Sequence, residues 1–159
     1  MKIAALLLIS IALIGCSSAP EPAAEPAKPV AATGPAKVPD HTSVFDDKDK
    51  VSTSIVPDHM LGIPALPGGS FAEYNSKGKK YQEFIIDLDS NQHAAFAMLD
   101  IKHAMTGDPE YLAHIGGYFG TWNGQPLYCF AKLHYLAGVV GLPQAKADPL
   151  AIWLANQLH

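Results

Sequence analysis

The chain has 159 residues, 11 lysines and arginines against 15 acidic residues, and a formal net charge of -4. Apolar residues make up 48% and charged residues 16%, which allows a core and argues against a chain disordered throughout. Every cation is a lysine, so the arginine forks that read guanine are missing, and the net charge opposes a phosphate backbone; nucleic acid is not an expected partner. The two cysteines, Cys16 and Cys129, cannot form a disulfide scaffold, and no CxxC pair offers a zinc or redox site.

Lys2 precedes an apolar run from Ile3 to Ile14, followed by Gly15-Cys16. Twelve apolar residues fall short of the ~20 that span a bilayer, and the pattern reads as a signal peptide. Its end, Leu13-Ile14-Gly15-Cys16, resembles the lipobox of bacterial lipoproteins. That resemblance implies cleavage before Cys16 and lipidation of its thiol, so that the membrane is the first partner. The absence of aspartate after the cysteine, where Ser17 and Ser18 stand, implies the cell envelope at the outer membrane, facing the periplasm. The expected division is therefore residues 1–15 as signal peptide, 16–57 as lipid anchor and tether, and 58–159 as a single domain. Residues 17–57 hold seven of the thirteen prolines and seven alanines, a composition that favours extended, polyproline-like chain.

Glycine and proline keep residues 58–69 irregular. The segment 70–88 reads as a hairpin, with its turn at Asn75-Ser76-Lys77-Gly78 and a β-branched second strand from Tyr81 to Leu88. Ser90 is a suitable N-cap for a helix over 91–106, with Gly107 as its C′ residue. Ala94, Met98, Ile101 and Met105 form the apolar stripe of that helix, flanked by Phe96 and Leu99. Residues 111–142 form an antiparallel meander with turns at Asn123-Gly124 and Leu133-His134. The last helix is expected to start with Asp148 as N-cap and Pro149 at its first position, burying Leu150, Trp153, Leu154 and Leu158. The order β-β-α-β-β-β-α defines an α+β domain, an antiparallel sheet of about four or five strands with two helices on one face. The stretch from Ala95-Phe96 through Tyr118-Phe119 and Leu127-Tyr128 to Tyr135 and Val140 resembles uncharacterised bacterial domains with a helix followed by an aromatic hairpin; the resemblance implies no activity.

Motifs for catalysis are sparse. Asp87-Leu88-Asp89-Ser90-Asn91 opens like a calcium loop, but Gln92 replaces the turn glycine and Met98 the bidentate glutamate. Ile115 to Gly120 is glycine-rich without dinucleotide or P-loop spacing, and reads as close backbone packing. His93 and His103 are ten residues apart on one helix and do not form an i,i+4 metal pair. Cys129 lies in an apolar run and reads as a buried, inert thiol. No metal site, cofactor or catalytic residue is expected. In the meander both alternating sets of side chains are apolar or aromatic, so its second face must be covered by residues 58–69, a second subunit or a ligand. Tyr118, Trp122, Tyr128 and Phe130 are the candidate binding residues for a protein, peptide or apolar ligand. The function read from the sequence is a membrane-anchored envelope lipoprotein with a small binding domain. The alternative is a small envelope enzyme or metal-dependent activity using His114 and His134.

Overall fold

The computed structural model describes residues 37–159. Cys16, the expected signal peptide and most of the expected tether lie outside the described residues. The strands are β1 (Lys50–Asp58), β2 (Pro67–Ser76), β3 (Lys79–Asp87), β4 (Thr106–Leu112), β5 (Gly117–Trp122), β6 (Gln125–Lys132) and β7 (Tyr135–Val140). Helix α1 (Asn91–Ala104) separates β3 from β4, and α2 (Gln144–Gln157) follows β7. All seven strands join one sheet in the order β1-β2-β3-β7-β6-β5-β4, antiparallel throughout.

The α+β class and the antiparallel sheet agree with the sequence, but the sheet has seven strands instead of four or five. One extra strand is β1, within the stretch expected to be tether. Its sequence, Val51-Ser-Thr-Ser-Ile-Val56, is rich in β-branched residues, which favour a pleated strand. Pro57 is tolerated because β1 is an edge strand and its outer side makes no ladder bonds. The other is β4, which starts directly after α1 and forms the opposite edge.

The turns follow local chemistry. Lys77 and Gly78 take φ of 50° and 82°, and Asn123 and Gly124 take 47° and 73°. These are the left-handed conformations of two-residue hairpin turns, whose twist matches that of the strands. Ser90 caps α1 by accepting a hydrogen bond from the His93 amide at 3.2 Å. The expected stripe of α1, Ala94, Met98 and Ile101, with Met105 at its end, is buried.

The two helices lie on opposite faces of the sheet, not on one. Residues of α1 pack with Phe84, Ile86, Leu127, Cys129, Leu136 and Val140. Residues of α2 pack with the alternate set, Ile85, Tyr128, Phe130, Ala137 and Val139. Side chains alternate between faces along a strand, so these sets cannot share a side. A sheet whose central strands are apolar on both faces needs cover on both, and one helix supplies each. Toward the β1 and β2 edge each face is completed by a segment outside the two α-helices. On the α1 side, Met60, Ile63 and Leu66 complete the core. On the α2 side, residues 40–49 cross the sheet as a strap whose Phe45 is buried in the cluster around α2. The strap is fixed at one end by the His41 amide donating to Ser70 Oγ at 2.7 Å, and at the other by the Asn75 amide donating to the Asp49 carbonyl at 2.9 Å. The folded unit therefore reaches back before residue 50, and the boundary expected at 58 is too late.

Helix α2 also begins earlier than expected. The Pro143 carbonyl accepts from the amides of Lys146 and Ala147, and the helix runs through Asp148-Pro149. Pro149 has no N–H, so the carbonyl four residues before it goes without its usual partner. Trp153 is 36% exposed, while Leu154 is fully buried together with Ala147 and Ala151. The helix rests on small residues and Leu154, and Trp153 sits at its rim.

Candidate functional site

The four aromatic residues singled out from the sequence do not form one surface. Tyr128 and Phe130 are fully buried beneath α2. Tyr118 and Trp122 belong to the α1 side, half-buried against its core. Tyr118 pairs with Cys129 across β5 and β6, whereas Phe119 pairs with Tyr128, which places Tyr118 and Tyr128 on opposite faces. The chain covers both faces of the meander with its own helices and loops, so Tyr128 and Phe130 have no ligand-facing side. Cys129 is fully buried, and burial pushes its thiol up to about 12, which keeps it protonated and unreactive. Gly120 accommodates the Met105 sulfur at the end of α1, as the packing reading of the glycine-rich stretch requires.

The histidines of the alternative reading fall into separate networks. His114, in the β4–β5 turn, lies 2.6 Å from Asp148, which also accepts a 2.6 Å hydrogen bond from the Tyr128 hydroxyl. The Tyr128 bond, then the His114 contact, hold the Asp148 carboxyl below its usual range, against a partial desolvation that acts the other way. Burial and the bond to Asp148 push the Tyr128 phenol up. The phenol stays protonated and the carboxylate ionised, each engaged by the other. They join α2 to β6. This explains why Asp148 does not cap the helix: its carboxylate is engaged by a strand twenty residues away in sequence. His134 belongs to a second network, in which Asp87 meets His41 at 2.9 Å and His134 at 3.5 Å. Asp89 pairs with His93 at 3.5 Å on the exposed start of α1. Among the described residues no group of three or more His, Cys, Asp or Glu is arranged to hold a metal ion.

The concave surface lies elsewhere. A groove of about 550 Å³ opens between the strap, the β2–β3 turn and the start of α2. Its lysines are Lys48, Lys77, Lys79 and Lys146, against Asp46 and Asp49. Tyr81, Leu142, Pro149 and Leu150 add apolar surface. Lys50 and Lys80 lie nearby, so six of the nine lysines between 37 and 159 gather at this end of the sheet. A second cleft of about 450 Å³ balances Lys80 against Glu73.

Beside the groove lies a residue the sequence reading passed over. Glu83 is 2% exposed, in β3 between Ala72 of β2 and Val139 of β7. The Tyr74 hydroxyl is 3.1 Å from its Oε2, and Tyr74 stacks on Tyr81 with ring centroids 4.6 Å apart. Burial raises the Glu83 carboxyl to about 7, with the nearby Asp46 charge adding to the rise; the bond from Tyr74 and the charge of Lys50 act against it. Burial, then the Glu83 charge, push the Tyr74 phenol up, and burial lifts Tyr81 to about 12. A signal was present in the sequence: in Tyr81-Gln-Glu83-Phe-Ile85, alternation puts Glu83 on the same face as Tyr81 and Ile85. The lysines of Lys77-Gly-Lys-Lys80 were legible only as turn residues, because their meeting with Lys48 and Lys146 depends on the strap and α2.

No protein-family model, curated protein or solved structure matches the chain.

Proposed function

We propose that the protein is a lipid-anchored envelope protein, attached through Cys16, whose domain binds an anionic ligand with an apolar part in the lysine-rimmed groove. The anchor rests on the lipobox resemblance. The groove carries the rest: four lysines against two aspartates around an apolar surface, in a chain that is acidic overall. Such a site attracts an anion from solution and holds its apolar portion against Tyr81, Leu142 and Leu150. A binding role fits a domain in which the histidine networks hold elements together and the Cys129 thiol is buried.

The probe that tests this is anilinonaphthalene sulfonate, an apolar anion whose fluorescence rises on binding. The triple variant Lys77→Ala, Lys79→Ala, Lys146→Ala removes three exposed charges at ~0.5 kcal/mol each, which together weaken binding about tenfold. Lys37→Ala and Lys102→Ala, away from the groove, should leave it unchanged. Equal loss from both sets, or none from the triple variant, would show that the groove is not the site.

A further inference from the structure

We propose that Glu83 is a proton-operated latch, which holds the strap on the sheet when protonated and loosens it when ionised. The geometry is a matter of counting hydrogens. Tyr74 Oη lies 3.1 Å from Glu83 Oε2 and 3.1 Å from the Asp46 carbonyl of the strap. A phenol carries one hydrogen, and a backbone carbonyl can only accept. If Tyr74 donates to Asp46, its contact with Glu83 is a hydrogen bond only when the hydrogen is on the carboxyl. The chain from protonated Glu83 to Tyr74 to the Asp46 carbonyl is then complete. When Glu83 ionises, its carboxylate becomes the stronger acceptor and takes the Tyr74 hydrogen. The Asp46 carbonyl loses its partner, and the strap loses its link to β2 at that point.

The surroundings fit a group that changes state near neutrality. The ionisable groups acting on Glu83 and its tyrosine partners are Tyr74 from β2, Tyr81 from β3, and Asp46, Asp49 and Lys50 from the strap and the start of β1. Across the sheet β7 presents Val139, and the buried residues of α2 are Ala147, Ala151, Leu154 and Ala155, none of which ionises. Lys50 is already engaged by Asp47 at 2.6 Å and by the Phe45 carbonyl at 3.3 Å. Among the described residues Glu83 has no ion pair, and its carboxyl is raised to about 7 by burial first. The far end of the strap is held separately by His41 on Ser70 and Asp87.

The strap carries Asp46, Lys48 and Asp49 into the lysine-rimmed groove, so the latch would set the shape of that groove. This consequence rests on the proposed binding site; the latch itself does not. Two measurements on the full-length chain test it without ligand. In a carbon-13 NMR titration, with Glu83→Gln to assign the signal, one glutamate carboxyl should titrate near 7. Hydrogen exchange over residues 41–50, corrected for the intrinsic pH dependence of exchange, should show protection falling about tenfold from about pH 5.5 to about pH 8, as the loss of one hydrogen bond predicts. Glu83→Gln keeps a donor to Tyr74 at every pH, so it should stay protected at both. A Glu83 signal titrating in the ordinary carboxylate range would overturn the latch, as would identical pH dependence in the wild type and Glu83→Gln. If Glu83→Gln fails to fold, the number of glutamate carboxyls titrating near 7 in the wild type decides. Release of the strap with no change in anilinonaphthalene sulfonate binding would support the latch and count against the groove alone.

Discussion

Replacing Leu154 by alanine tests the placement of α2, and with it the cover on the second face of the sheet. Leu154 is fully buried among Ala147, Ala151 and the strand residues Tyr128 and Val139. The change removes three carbon groups at ~0.8 kcal/mol each, about 2.4 kcal/mol of transfer free energy. A cavity that the sheet cannot collapse to fill brings the total to about 3–4 kcal/mol, within the range measured for buried leucines. The neighbouring Trp153 is larger, but 36% of it is exposed. Water refills the space it vacates, so no cavity term applies, and Trp153→Ala should cost about 1–2 kcal/mol. Urea unfolding of both variants, followed by circular dichroism, gives the two values directly. Consecutive residues on a helix point about 100° apart, so the ratio reports which side of α2 meets the sheet. A Trp153→Ala loss equal to or greater than that of Leu154→Ala would mean that the helix is rotated and that the packing described here is wrong.

Glu83 binds a proton in the native state that the unfolded chain releases above about 4.5, so its contribution to stability should be fully present below that pH and lost as pH rises through about 7. The shift corresponds to a loss of about 3 kcal/mol, absent in Glu83→Gln; urea melts of both chains across this window check it, and a wild type no more pH-sensitive than the variant would refute it. Ser90→Ala removes the side-chain cap of α1 and should cost about 1 kcal/mol in the same assay. Cys16→Ser should leave an unprocessed precursor without lipid, read by mass spectrometry of the membrane fraction; unchanged cleavage and acylation would exclude the lipoprotein reading.

Several elements are legible because their causes are local. The turns at Lys77-Gly78 and Asn123-Gly124 need residues that accept a left-handed backbone, and those residues are visible in the chain. Helix α1 has its cap three residues from the amide it serves and its apolar stripe at helical spacing. Strand β1 was also written locally, in Val51-Ser-Thr-Ser-Ile-Val56, but averaging composition over the proline-rich segment concealed it.

The remaining features depend on partners distant in sequence. Asp148-Pro149 has the chemistry of a helix start, yet the Tyr128 hydroxyl claims the carboxylate, and the helix begins at Gln144. Apolar residues on both sides of β6 and β7 announce two covered faces without saying what covers them. Only the register assigns α1 and Met60 to one face and α2 and Phe45 to the other. The same holds for the proposed site. A glutamate in a strand and lysines in a turn are ordinary in a sequence. Strand β2 sets Tyr74 beside the glutamate, the strap brings the Asp46 carbonyl to the same Tyr74 hydroxyl, and α2 brings Lys146 to face Lys77 and Lys79 across the groove. The sequence therefore determined the turns, the first helix and the apolar character of the central strands, whose causes lie within a few residues. Tertiary structure decided which face each helix covers and how Glu83 is buried, because the strap, the sheet and α2 that enclose it come from segments far apart in the chain.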